Sequence, residues 1–143
     1  VPNTVAGRCE FWANVRFATG EQLTWVRDYA AHVAQTSFVQ GCSCELSESS
    51  FRLAMERCER NLELLNRING IYERNGLPTL TPERRKGGSD AADVTAFGIP
   101  CVDSIGVQGD YIHTAREFAW LSSLEESARR IGAVIVYLSK QPE

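Results

Sequence analysis

Two short runs hold the residues best able to do chemistry. Gly87, Gly88, Ser89, Asp90 and Ala91 make a glycine-led turn into a stretch of small residues, and His113 is followed closely by Glu117. Histidine is a common metal ligand, and a ligating imidazole needs an acceptor that fixes its tautomer. The glycines relieve backbone strain in the turn, and Ser89 or Asp90 can cap the helix behind it. His113 lies in a stretch containing Gly106 and Gly109, and loops at strand ends hold binding residues more often than packed elements do. One histidine is not a metal site, because zinc takes about three or four protein ligands.

Other groups compete for a role. Arg84, Arg85 and Lys86 could clamp a carboxylate with a guanidinium fork, or form a solvated charge run. Glu125 and Glu126 look like paired carboxylates, but each follows a serine, Ser122 or Ser123, at the spacing of a capping box. Cys42 and Cys44 flank one serine. That is not the Cys-x2-Cys of a zinc site, no matching pair follows, and the two read as same-face residues of a strand. His32 lies inside an amphipathic helix beside Val33 and reads as structural.

The elements that must position these groups follow from periodicity. Residues 8–17 alternate: Cys9, Phe11, Ala13, Val15 and Phe17 share one face, while Arg8, Glu10, Trp12, Asn14 and Arg16 share the other. Period two with aromatics and valine predicts a half-buried strand. Thr19, Gly20 and Glu21 open a helix whose stripe is Leu23, Val26, Ala30 and Val33. Residues 41–46 predict a weaker strand. Met55, Cys58, Leu62, Leu65, Ile68 and Tyr72 predict a long amphipathic helix over 52–74, stopped by Asn75, Gly76 and Pro78. A short helix is expected over 90–97, ended by Gly98. A buried strand is expected over 99–102, a loop over 104–116, and a last helix to 138 with Leu124, Ala128, Ile131 and Ile135 on one stripe. Alternating strands and helices give an α/β class.

Bulk properties narrow the partners. The chain has 143 residues, 43% of them hydrophobic, and a net charge of −3. That suits one domain, or parts of two. No basic or aromatic-interleaved patch suggests nucleic acid, and no apolar run of ~18 residues suggests a membrane span. The five cysteines are odd in number and scattered, which argues against a disulfide framework and for a reducing, cytoplasmic setting. The chain starts at Val1, Pro2 and Asn3 with no initiator methionine or signal pattern. The natural N-terminus is expected to lie upstream, and a leader could have gone with it.

The runs also occur in a telling order. Gly87, Gly88, Ser89, Asp90 and Ala91 come first, then Gly98, Ile99 and Pro100, then Val102, Asp103, Ser104, Ile105 and Gly106. His113, Thr114 and Glu117 follow, then Leu121, Ser122, Ser123 and Leu124. This series resembles the C-terminal part of the zinc-dependent metallopeptidases that include carboxypeptidase G, acetylornithine deacetylase and succinyl-diaminopimelate desuccinylase. Asn3, Thr4 and Val5, with Ala13, Asn14, Val15, Arg16 and Phe17, resemble the strand of that family's smaller lid, or dimerisation, domain. Residues 36–80 match least.

The resemblance implies a fold: residues 1–50 as the second half of an α+β lid (strand–helix–strand), and residues 51–143 as the C-terminal part of a catalytic domain with a mixed sheet and flanking helices. It implies that His113 is the last ligand of a two-zinc site. It implies that Asn3, Arg16 and Arg84 bind substrate near its carboxylate, with Arg85 the rival to Arg84. Gly88 and Ser89 line the pocket, Asp90 fixes the turn, and Glu117 supports the His113 loop. The parent would be a zinc amidohydrolase or carboxypeptidase cleaving the amide of a small N-acyl amino acid or dipeptide-like substrate with a free carboxylate, and a homodimer through the lid. In such enzymes two zinc ions share a bridging water and a glutamate acts as general base. The chain has no His-x-Asp motif and no Glu-Glu in the required context, so it is expected to be an inactive C-terminal fragment holding no catalytic residue. Two other classes stay open: a stand-alone dimerisation module, and an amino-acid-binding domain using Arg16 and Arg84 without metal. One departure is Gln108, Gly109, Asp110, Tyr111 and Ile112, where the family often has a glycine-rich run.

Overall fold

The computed structural model describes residues 3–85 and 87–140. The chain divides into two compact units, Val1–Leu46 and Ser47–Glu143. Across them the architecture mixes helices with a small two-stranded sheet, which is compatible with a loose α/β class.

The first unit is built on α1, Gly20–Gln35. Thr19 caps it: its Oγ1 accepts from the Gln22 N–H at 3.2 Å. Gln22 Oε1 reaches back to accept from the Ala18 N–H at 2.8 Å. This reciprocal exchange satisfies donors that the first helical turn leaves open. The expected stripe of Leu23, Val26, Ala30 and Val33 is half-buried, and α1 has no fully buried residue. Trp25 stacks on Tyr29 with ring centroids 5.5 Å apart. His32 is exposed.

The strand expected over 8–17 does not form. The segment joins no ladder among the described residues, and both its faces are exposed; Phe11 is 80% and Trp12 83% accessible. Alternation supplies a face to bury, but a strand also needs a neighbour to take its backbone groups, and isolated strands are marginal in water. Residues 41–46 likewise join no ladder among the described residues.

The second unit is organised by α2, Glu59–Arg74, which buries Asn61, Leu65, Ile68, Ile71 and Tyr72. Those positions recur at helical spacing, so one face carries the core. The helix expected from residue 52 starts at Glu59, and Cys58 caps it without a side-chain bond. Its end is as expected. Gly76 has φ +65°, the Gly76 N–H donates to Glu73 O at 3.2 Å, and the Leu77 N–H donates to Tyr72 O at 2.9 Å. Such a paired closure needs a left-handed residue, which glycine adopts without a Cβ clash. The same closure ends α3, Ala91–Ala96, at Gly98.

β1, Gly109–Asp110, pairs antiparallel with β2, Phe118–Ala119, placing Gly109 opposite Ala119 and Asp110 opposite Phe118. α4, Leu121–Ser139, follows and packs against α2. Residues 99–102 are not a strand and Ile99 is exposed, although the Cys101 N–H donates to Asn61 Oδ1 at 2.9 Å.

Two expectations for α4 are overturned. No capping box forms at Ser122 or Ser123: the helix starts at Leu121 behind Trp120, which makes no side-chain cap bond. Glu125 and Glu126 instead pair with Arg129 and Arg130 at 2.6 and 2.7 Å. The apolar stripe of Leu124, Ile131 and Ile135 faces outward, with Ile135 61% accessible. The buried face is polar: Ser123, Ser127 and Arg130. Ser127 Oγ donates to Gly106 O at 2.8 Å, and Arg130 Nη2 donates to Pro78 O at 3.2 Å. Loop carbonyls that need donors therefore select this face. No described helix is long and apolar enough to cross a membrane.

Candidate functional site

His113 stands on the short loop joining β1 to β2. Tyr111 and His113 have φ of +56° and +65°, a left-handed conformation that costs roughly 1–2 kcal/mol for a residue with a Cβ. The surrounding bonds hold it. Asp110 Oδ1 accepts from the Tyr111 N–H at 2.8 Å. Thr114 Oγ1 donates to Tyr111 O at 2.7 Å. Glu117 Oε2 accepts from the His113 N–H at 3.0 Å. The Arg116 guanidinium lies 4.6 Å from the Tyr111 ring centre. Non-glycine residues held left-handed persist where surrounding structure over-determines them, and they cluster at functional sites.

The base of this loop is fixed by aromatic packing and one glycine. Phe118 contacts Tyr111 at 6.1 Å and Trp120 edge-on at 5.3 Å between ring centroids. A Cβ on Gly109 would sit 2.1 Å from Phe118 O, so only glycine allows this approach of β1 to β2. Ser123 Oγ accepts from the Gln108 N–H at 3.0 Å and donates to Trp120 O at 2.7 Å, tying the start of α4 to the residue ahead of β1.

The glycine turn opens α3. Ser89 Oγ accepts from the Ala91 N–H at 3.1 Å. Asp90 makes no side-chain cap bond to the helix; its Oδ1 accepts from Arg52 Nη1 at 2.8 Å. At the far end of α3, Asn61 Nδ2 donates to Thr95 Oγ1 at 3.2 Å, and Arg60 donates to the Thr95 carbonyl.

The arginine loop is anchored ahead of its charges. Asn69 exchanges two 2.8 Å bonds with the Leu80 backbone, N–H and carbonyl. Arg85 Nη2 is committed to Glu83 Oε2 at 2.7 Å, whereas Arg84 has no ion-pair partner among the described residues. Lys86 lies outside the described residues. Asn3 and Arg16 are exposed and belong to the first unit. Among the described residues, no hydrogen bond or ion pair joins His113, Arg84 and the Gly88–Ser89 turn. An open hollow of about 400 Å³ lined by Asn75, Leu77, Arg129, Gly132, Ala133 and Val136 contains none of them.

Periodicity and motif spacing left Arg52, Asn61 and Tyr111 without a role at the site. Arg52 and Asn61 sit far in sequence from the groups they hold, and neither belongs to a local motif. Tyr111 was visible only as a departure from a glycine-rich run.

Among the described residues, no group of three or more histidine, cysteine, aspartate or glutamate side chains could hold a metal ion. The contact shown between His113 and Glu117 runs from the His113 backbone N–H to Glu117 Oε2, and these two side chains fall short of the roughly three or four protein ligands that zinc takes. Comparison with family models, curated proteins and solved structures returns no match.

Proposed function

We propose that this chain is the C-terminal part of a zinc-dependent hydrolase, a metallopeptidase or deacylase that cleaves the amide of a small N-acyl amino acid or dipeptide-like substrate with a free carboxylate. Residues 51–143 would be the end of the catalytic domain, and residues 1–50 the second half of a lid through which the parent dimerises in the cytoplasm. The observation that carries this reading is the His113 loop. It presents a histidine at φ +65° on bonds from Asp110, Thr114 and Glu117, within the ordered series of runs that resembles the family.

The roles divide as follows. His113 supplies one metal ligand. Further ligands and the general base come from residues outside this chain. In the second unit Arg84, rather than the committed Arg85, meets a substrate carboxylate; in the first unit Asn3 and Arg16 are the residues that the resemblance assigns to substrate. Gly88 and Ser89 form pocket wall. The outward apolar stripe of α4, and the exposed Phe11 and Trp12 of a segment that joins no ladder among the described residues, support a chain whose faces are completed by other surfaces, since exposed apolar area marks interaction sites.

Calorimetric titration of the 143-residue chain with zinc tests the division of ligands. Weak or no binding is expected, and tight binding of two ions by this chain alone overturns it. Reading the coding sequence upstream of Val1 tests the parent. A stretch of about 200 residues, one ordinary domain in size, with His-x-Asp and Glu-Glu motifs is expected. A start codon next to Val1 favours a stand-alone module instead.

A further inference from the structure

We propose that Arg52 is the positioning residue of the 87–91 turn. One side chain touches the turn at two points. Its Nη1 donates to Asp90 Oδ1 at 2.8 Å, and its stem crosses Gly88, where an added Cβ would lie 2.9 Å from Arg52 Cδ. A Cβ on Gly88 would therefore require the Arg52 side chain to shift off the turn, and the φ of Gly88 is not in the left-handed region. Asp90 occupies the N-cap position of α3 but caps nothing with its side chain. Its carboxylate belongs to Arg52, and the capping acceptor is Ser89 Oγ.

Arg52 lies just ahead of α2, and α2 grips the other end of α3 through Arg60 and Asn61. Both ends of the short helix, and the turn that leads into it, are thus held from one stretch of chain. The Arg52 and Asp90 side chains are 68% and 92% accessible. Exposed pairs contribute little to global stability, so the consequence of this contact is the local order and direction of the turn. A single donor makes the pair, not a fork, so a lysine ammonium can replace it. On the hydrolase reading, Arg52 thereby sets the pocket wall formed by Gly88 and Ser89; the geometry itself does not depend on that reading.

The test compares wild type with Arg52→Gln, Arg52→Lys and Gly88→Ala in the full chain, with circular dichroism to show that each variant folds. Amide hydrogen exchange at Ala91, Ala92 and Asp93, whose N–H groups donate to Ser89 Oγ, Ser89 O and Asp90 O, is expected to quicken by about two- to fivefold in Arg52→Gln, the range an exposed pair supports. Arg52→Lys returns it to near wild type, and Gly88→Ala resembles Arg52→Gln. Equal exchange in wild type and Arg52→Gln overturns the positioning role. A second titration, with N-acetylglycine, follows the Gly88 and Ser89 amide shifts. Binding is expected to weaken about two- to fivefold in Arg52→Gln and to recover in Arg52→Lys. Unchanged binding in Arg52→Gln overturns the link between this contact and the pocket. No shift in wild type, with exchange still dependent on Arg52, overturns the role of the turn as a carboxylate-binding wall in this chain and leaves the positioning intact.

Discussion

The backbone N–H of His113 points at Glu117 Oε2 from 3.0 Å, and this bond helps hold the histidine at φ +65°. Glu117 thus acts on the main chain of His113. Glu117→Ala removes the acceptor and leaves an exposed N–H that water can satisfy. The expected result is a loop that opens more often, with His113 amide exchange several-fold faster, and a global loss of only about 0.5–1 kcal/mol. Glu117→Gln keeps an acceptor oxygen and should stay near wild type. Exchange measured by NMR checks both, and equal exchange in all three proteins would remove Glu117 from its role.

Asn61 is the opposite case, a buried polar group whose bonds serve two elements. Its Nδ2 donates to Thr95 Oγ1 on α3, and its Oδ1 accepts from the Cys101 N–H. Asn61→Leu keeps the volume but strands the Cys101 N–H and the Thr95 hydroxyl. Each unsatisfied buried group costs about 1–3 kcal/mol, so a loss of roughly 2–4 kcal/mol is expected in urea unfolding. A loss below about half a kcal/mol, the level of an ordinary surface change, would show that water replaces both bonds.

Much of this arrangement was legible, and the illegible parts have a common cause. The ends of α2 and α3 could be read because Gly76 and Gly98 close local bonds that depend on nearby residues alone. The core face of α2 could be read at Leu65, Ile68 and Tyr72, because helical spacing sets it. Periodicity could not say what lies opposite a face. The 8–17 alternation has no ladder partner among the described residues. α4 buries Ser123, Ser127 and Arg130 because distant backbone groups, the Gln108 N–H and the carbonyls of Gly106 and Pro78, need partners. At the candidate site, His113 and Glu117 are close enough in sequence to be paired on inspection. Arg52 with Asp90 is a tertiary contact with no local signature.

Gly109 makes a sharper demand on the hairpin. Gly109→Ala puts a methyl group 2.1 Å from Phe118 O, which is backbone and cannot rotate away. The two strands must separate, and the Trp120 N–H bond to Gln108 O at 3.0 Å is expected to go with them. Near-ultraviolet circular dichroism from Phe118 and Trp120 should fall while the far-ultraviolet helix signal holds. Retention of the aromatic signal would mean that the hairpin tolerates a Cβ there.

Tyr72 carries a pH dependence that can be isolated. Its ring is fully buried and its hydroxyl has no partner among the described residues. Burial raises its pKa above the ordinary 10.0, and the nearby Arg130 charge opposes that rise. A raised folded pKa means that the folded state keeps its proton where the unfolded chain has lost it. The neutral ring's contribution is therefore complete below pH 10.0 and is lost as pH climbs through the folded value. Tyr72→Phe removes this slope and the stranded hydroxyl together, while leaving an aromatic face for Arg130, now 5.7 Å from the ring centre. At neutral pH the variant should be more stable by about 1 kcal/mol. Its advantage should widen above pH 10, where other ionising groups affect both proteins alike. Denaturant midpoints at pH 7 and above pH 10 decide it, and a gap that stays constant or narrows at high pH would mean that burial does not hold the proton on Tyr72 in the folded state.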